Sequence, residues 1–152
     1  MMPLIRILRR RTLLTVVEIG TFKGGTMWLW CQMANDDANI ISIDLKPTTK
    51  TGKRIAKYLY GLAVENQKVS LVRGDSGNIE TKHQLIDKLG PSKIDFLFID
   101  GNHSYRAVKR DFELYSPLVR KGGLVAFHDI LYHPNFPETQ VDKYWNELRS
   151  KY

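Results

Sequence analysis

The chain has 152 residues, 43% hydrophobic and 26% charged, which suits one soluble globular domain and leaves no room for a second. Its longest apolar run falls well short of the ~20 residues of a membrane span, the charge-broken segment around Arg6, Arg9, Arg10 and Arg11 is no signal-peptide core, and Cys31, the single cysteine, allows no internal disulfide, so a cytoplasmic, reducing location is expected. The net charge of +7 raises an acidic partner, but the basic residues are spread over Arg9 to Arg11, Lys46 to Lys57 and Arg106 to Arg110 without an aromatic stacking set or zinc-finger spacing, so they read as solvated helix faces and nucleic acid is not an expected partner.

Along the chain, hydrophobic runs alternate with helix-period segments, the pattern of βαβ units that build a parallel sheet. Five strands are expected, at Thr15 to Ile19, Ile40 to Asp44, Val69 to Arg73, Ile94 to Ile99 and Leu124 to His128. Between them the spacing predicts helices over Thr26 to Ala34, Lys50 to Leu62, Ile79 to Leu89 and Tyr105 to Ser116. In the last of these, Tyr105, Val108, Phe112 and Tyr115 recur at intervals of three and four and share one face. Pro117 and the run Arg120-Lys121-Gly122-Gly123 read as a helix-to-strand turn. After a Pro-rich loop, Val141, Tyr144, Trp145 and Leu148 form one apolar face of a final helix. Cys31 reads as a small buried hydrophobe.

The most informative stretch is Val16-Val17-Glu18-Ile19-Gly20-Thr21-Phe22-Lys23-Gly24-Gly25. A β-branched strand feeds a helix through a glycine turn, which exposes backbone N–H groups and lets a ligand approach the main chain. A dinucleotide fingerprint would place glycine where Phe22 stands, and Glu18 adds a negative charge that a diphosphate would not favour. In a parallel sheet the ligand lies at the carboxyl ends of the strands. Polar residues collect there: Glu18 to Gly20, Asp44, Gly74-Asp75-Ser76, Asp100-Gly101-Asn102-His103 and His128-Asp129. Asp44 falls 24 residues after Gly20, near the ~20-residue spacing at which an acid meets ribose hydroxyls; it also reads as a cap for the loop Leu45-Lys46-Pro47. Asp75 and Ser76 suit an adenine edge or a plain turn.

The pattern Glu-x-Gly-x-x-x-Gly, together with Phe98-Ile99-Asp100-Gly101-Asn102-His103-Ser104-Tyr105 and Phe127-His128-Asp129, resembles a family of class I S-adenosylmethionine-dependent methyltransferases. That family includes small-molecule O-methyltransferases and relatives called cephalosporin hydroxylases. The likeness runs from about Val16 to Asp129. It implies a Rossmann-like three-layer α/β sandwich, a mainly parallel five-stranded sheet in the order 3-2-1-4-5, and methyl transfer from S-adenosylmethionine to a small-molecule acceptor. The cofactor residues it implies are Glu18, Gly20, Thr21, Gly24, Asp44, Asp75, Ser76 and Asp100. Some relatives bind a divalent cation with an acid after strand four and a polar pair after strand five, which map onto Asp100, His128 and Asp129. Two carboxylates suit magnesium, and the imidazole moves preference towards manganese, iron or zinc. Alternatively His103, three residues past Asp100, acts as general base beside it. Phe22, Trp28, Trp30 and Phe127 read as core or pocket wall before they read as a cage for the sulfonium.

The full family fold adds two strands after the fifth, and the residues after Asp129 do not supply them. The strand-five edge is therefore expected to be bare, covered by the last helix, or completed by a second copy in a homodimer. Two rivals to a small-molecule enzyme remain: a non-catalytic cofactor-binding remnant of the fold, and an RNA methyltransferase, for which the Asn-Pro-Pro-Tyr-type tetrapeptide of base-methylating enzymes is absent.

Overall fold

A computed structural model describes residues 2–45, 54 and 57–151. Its elements are α1 (Met2–Leu8), β1 (Thr15–Ile19), α2 (Gly25–Met33), β2 (Asn39–Asp44), β3 (Lys68–Arg73), α3 (Ile79–Leu89), β4 (Ile94–Ile99), α4 (Tyr105–Tyr115), β5 (Val119–Phe127) and α5 (Val141–Arg149), with short 3-10 turns at Tyr60–Leu62 and Ser116–Leu118. Part of the helix expected over Lys50 to Leu62, residues 50–53, 55 and 56, lies outside the described residues. Residues 57–59 are helical and run into the first 3-10 turn.

The sheet has the expected order, β3-β2-β1-β4-β5, and every pairing is parallel. β1 is its centre. Val16 pairs with Ile40 on one side and Phe96 on the other, and Ile19 with Ile43 and Ile99. Because strand side chains alternate in direction, Val16, Ile40, Phe96 and Phe98 point to one face and pack on Trp30, Met27 and Leu8. Val17, Ile19, Ile41, Leu97 and Ile99 point to the other and meet Leu85, Val108 and Tyr115. Both faces are covered, so all of β1 and β4 is buried, which explains why these strands read as mainly apolar runs, with Thr15 and Glu18 the polar exceptions in β1 and Asp95 in β4. Trp30 stands edge-on to Phe96 and Phe98 with both ring centroids 5.0 Å away, so it and buried Cys31 belong to the core. Burial beside Glu18 pushes the Cys31 thiol up to about 11, which makes it a poor nucleophile.

Two differences from the sequence expectation have local causes. α1 was not anticipated, because Arg6 within it and Arg9 to Arg11 just after it masked the apolar side that Leu4 and Leu8 set into the core. β5 begins five residues earlier than expected. The run Arg120-Lys121-Gly122-Gly123 is an irregularity within the strand, where the register jumps from Ile94↔Val119 to Phe96↔Leu124, and Gly122 takes φ 75° there. The strand needs the glycines because a Cβ on Gly123 would meet the Asp95 and Arg120 carbonyl oxygens at 3.1 and 3.0 Å. Asp95 ties this end of the sheet together, taking the N–H groups of Leu14 and Thr15 (2.8 Å each) and pairing with Arg120.

The last helix forms on its expected face. Tyr144 and Trp145 pack on Phe127 of β5, Tyr105 of α4 bonds Glu147, and the Gln140 N–H donates to the His103 carbonyl at 2.8 Å. α5 therefore covers one face of β5 near its carboxyl end, while β5 has no strand neighbour beyond β4 among the described residues.

Candidate functional site

The ladder continues past the strand ends and draws them together. Gly20 N–H donates to Ile43 O (2.9 Å), Asp100 N–H to Ile19 O (2.8 Å), His128 N–H to Ile99 O (3.0 Å) and Gly74 N–H to Asp44 O (3.0 Å). All five polar strand ends thus form one continuous edge, as the sequence indicated. Gly20 sits at φ 91°, and a Cβ there would overlap the Asp100 carbonyl oxygen. Its role is close passage between the ends of β1 and β4. Gly24 caps α2 at φ 84°, where a Cβ would overlap Leu59, whereas a Cβ on Gly25 would meet nothing within 4 Å. The first glycines shape the turn, and the third borders open space.

The acids of the first motif behave differently from expectation. Glu18 has no exposed surface. Trp30 Nε1–H donates to its Oε1 (2.9 Å) and the Ser42 hydroxyl to its Oε2 (3.3 Å), while the Thr21 and Ser42 hydroxyls bond each other. Thr21 is buried too. Glu18 and the Thr21 side chain therefore lie beneath the turn as its support, where the sequence reading had them line the pocket. Burial pushes the Glu18 carboxyl up to about 7, against the pull of hydrogen bonds from Thr26, Trp30 and Ser42. A raised carboxyl holds its proton in the folded state, so its contribution to stability falls as pH rises from 4.5 through 7. Over that window wild type should lose about 3 kcal/mol from this group. Glu18→Gln should flatten that slope in thermal melts between pH 5 and 8; an unchanged slope would contradict the assignment.

Asp44 takes three backbone N–H groups: Thr21 (3.2 Å) and Phe22 (3.0 Å) on Oδ2, and Leu45 (2.7 Å) on Oδ1. The loop-cap role foreseen for it is seen in the Leu45 bond. Asp44 ties the glycine turn to β2, and of roughly four acceptor positions on a carboxylate about one remains for a hydroxyl. The turn's N–H groups are correspondingly less free than a glycine loop suggests. Phe22 is held at φ 44°, and its ring is 82% exposed. Asp75 Oδ1 accepts the Gly77 N–H (2.8 Å) in the turn foreseen as its plain role, and the Ser76 carbonyl accepts the buried Tyr115 hydroxyl (2.7 Å).

Asp111 escaped the sequence reading. It is 2% exposed, the Ser76 hydroxyl bonds it, and burial pushes it up to about 6. Its Oδ2 has no hydrogen-bond partner among the described residues and lies 3.4 Å from where a Gly101 Cβ would stand. The signal was present: residue 111 falls three after Val108 and four before Tyr115, on the buried stripe of α4. It joins the turn after β3 to the turn after β4.

At the β4–β5 end, Asp100, His103, His128, Asp129 and His133 converge. His103 Nε2 lies 3.1 Å from Asp100 Oδ1, and its Nδ1 3.1 Å from Asp129 Oδ2. His128 Nδ1 lies 2.9 Å from Asp129 Oδ1 and 3.3 Å from Asp100 Oδ1, yet is aligned for a hydrogen bond with neither. His133 Nε2 stands 3.6 Å from Asp129 Oδ1. Asp129 adopts φ 51°, a left-handed conformation that aspartate tolerates better than most residues. The hydrogen bond to Asp100 and the nearby charges of Asp129 and Asp100 raise the His103 pKa above its usual 6.5, although partial burial opposes them. Among the described residues, one ligand atom each from Asp100, His103 and His128 lie within 4.8 Å of one another. The buried, unbonded nitrogen of His128 facing two carboxylate oxygens fits a cation. Of the foreseen trio of Asp100, His128 and Asp129, the first two are gathered, and the third place in the group is taken by His103, while Asp129 stands against His103 and His128. Beyond Asp129 the loop exposes Leu131, Tyr132 and Phe136.

A parallel sheet in the order 3-2-1-4-5 between two helical layers, with a glycine turn and acids along its carboxyl edge, defines a Rossmann-like fold. A family model described as a methyltransferase domain matches residues 17–130, and the chain belongs to that family. An uncharacterised protein of Acanthamoeba polyphaga mimivirus is 37% identical over 116 residues, 76% of this chain and 51% of that protein. The Dictyostelium discoideum protein named "Probable caffeoyl-CoA O-methyltransferase 3" is 31% identical over 127 residues, 83% of this chain and 46% of its own. The chain spans about half the length of these two relatives. Among solved structures, an O-methyltransferase from Bacillus cereus in complex with S-adenosylhomocysteine superposes with a TM-score of 0.71 at 17% identity, covering 97% of this chain and 67% of that one. The MycE methyltransferase of mycinamycin biosynthesis, in complex with Mg, S-adenosylhomocysteine and mycinamycin VI, gives 0.65 at 22%, covering 97% and 40%. At these identities the likeness establishes the fold. No helix among the described residues is long and apolar enough to cross a membrane.

Proposed function

We propose that this domain binds S-adenosylmethionine along the carboxyl edge of β1 to β4 and methylates an oxygen of a small molecule held over the β4–β5 cluster. The observation that carries this reading is the convergence of the glycine turn, Asp44, Asp75 and Ser76 with the Asp100–His103–His128–Asp129 cluster on one strand edge, within a member of the methyltransferase-domain family. Bound S-adenosylmethionine supplies a methyl group already activated on its sulfonium, which leaves the protein to orient the acceptor and deal with its proton. Gly25 admits the cofactor's main body, and Asp44 offers its remaining acceptor position to a ribose hydroxyl. The turn after β3, braced by Asp111 and Tyr115, presents Asp75 and Ser76 to the adenine edge. Glu18 and Thr21 act from below by fixing the turn.

At the other end Asp100 faces both cofactor and acceptor. Either a divalent cation on the cluster lowers the pKa of the acceptor hydroxyl, or His103 takes the proton directly. The exposed apolar residues after Asp129 favour an acceptor with an apolar body. The reading is tested by incubating the protein with isotopically labelled S-adenosylmethionine and a panel of hydroxylated small molecules. Transfer of label to an acceptor oxygen supports it; cofactor binding without transfer to any acceptor supports the non-catalytic alternative. Asp44→Ala should weaken S-adenosylhomocysteine by about tenfold, a loss of one charge-assisted hydrogen bond together with a loosened turn. Unchanged affinity would remove Asp44 from the site.

A further inference from the structure

The β4–β5 cluster contains more imidazole than a magnesium site needs. We propose that His103 is a metal ligand through Nε2, in a two-histidine, one-carboxylate set with Asp100 and His128, and that this set takes iron, cobalt or zinc in preference to magnesium. The proposal rests on the reading above only for the use to which the metal is put.

Three observations support it. The first is spacing. Ligand atoms about 2.1 Å from a metal and at right angles to one another stand roughly 3 Å apart, and Asp100 Oδ1 lies 3.1 Å from His103 Nε2 and 3.3 Å from His128 Nδ1. The second is hydrogen-bond accounting. A neutral imidazole has one N–H and one bare nitrogen, yet both nitrogens of His103 face carboxylate oxygens, and buried His128 Nδ1 faces two without an aligned hydrogen bond. A cation shared by Asp100 Oδ1, His103 Nε2 and His128 Nδ1 satisfies all of these atoms together. It leaves His103 Nδ1 to carry its proton towards Asp129 Oδ2, the arrangement in which an outer carboxylate orients a ligating histidine. The third is the donor chemistry: imidazole suits iron and zinc, whereas magnesium prefers an oxygen shell with several waters. On this assignment Asp129, foreseen as a ligand, holds His103 in place, and His103, foreseen as a base, has no free nitrogen with which to take a proton.

The test titrates the full chain with Co2+ or Mg2+ alone, without cofactor or acceptor, by calorimetry and visible absorption. The expected result is stoichiometric Co2+ binding with visible bands and a far weaker response to Mg2+. His103→Ala should weaken Co2+ by about 100-fold or more, since even outer-sphere changes cost 10–100-fold, and should alter the bands. Wild-type Co2+ affinity and spectrum in a His103→Ala protein with an unchanged far-ultraviolet circular dichroism melt would overturn the assignment, as would Mg2+ binding as tight as Co2+. Should that variant not fold, wild-type His103 ring signals in NMR decide the matter: they shift on Zn2+ addition if the proposal holds and stay fixed if it fails. Loss of the methyltransferase reading would appear separately, as absent S-adenosylhomocysteine binding by a protein that still takes Co2+.

Discussion

Gly20→Val should abolish cofactor binding and destabilise the domain by about 4 kcal/mol or more. Two costs combine. A β-branched residue at φ 91° is strained by about 1–3 kcal/mol, and the new Cβ would overlap the Asp100 carbonyl oxygen, which is backbone and cannot swing aside. Relief requires β1 and β4 to separate at their carboxyl ends, where the glycine turn, Asp100 and the ladder bonds Asp100 N–H to Ile19 O and Gly20 N–H to Ile43 O all meet. Against a typical stability of about 5–15 kcal/mol, the variant should melt well below wild type. Gly25→Ala is the contrast, because a Cβ there meets nothing within 4 Å. That variant should keep wild-type stability, and any loss of cofactor affinity would report on the ligand itself. Equal melting temperatures for Gly20→Val and wild type would refute the packing argument.

Asp100→Asn should lower turnover by about 10³-fold, within the range for removing a positioned acid–base or metal-ligating group, while the fold persists. The asparagine keeps the size of the side chain and one oxygen but removes the charge that faces both His103 and His128. The backbone of residue 100, which carries the ladder bond and packs on Gly20, is untouched. The loss should therefore fall on kcat more than on S-adenosylhomocysteine affinity. Turnover within a few-fold of wild type would remove Asp100 from the chemistry.

The strands were readable because both faces of the sheet are covered. Apolar runs such as Phe96-Leu97-Phe98-Ile99 can be little else when short and bounded by polar turns, and β1, α3 and β4 fall on their expected residues. The polar strand ends were legible for the same reason: topology, once read as parallel, decides where they meet. Direction was less accessible. Glu18 alternates with Val17 and Ile19 along β1, but nothing in the local pattern says that Trp30 and Ser42 from other elements will close over it. Asp111 was hidden by the habit of assigning charged residues to the outer faces of a helix, although its spacing placed it on the buried stripe of α4. The start of β5 was misread because Gly122-Gly123 suits a turn and a bulge equally, and only pairing with Ile94 and Phe96 decides between them. His103 was singled out as a candidate beside Asp100, but the partner at its second nitrogen is Asp129, 26 residues further on in the chain and held at a left-handed turn.

The central claim is that the carboxyl edge of this sheet is an S-adenosylmethionine site, and calorimetric titration with S-adenosylhomocysteine addresses it most directly. The account predicts one-to-one binding by wild type, weaker binding by Asp44→Ala, and none by Gly20→Val. No binding by well-folded wild type, or equal binding by all three proteins, would contradict it.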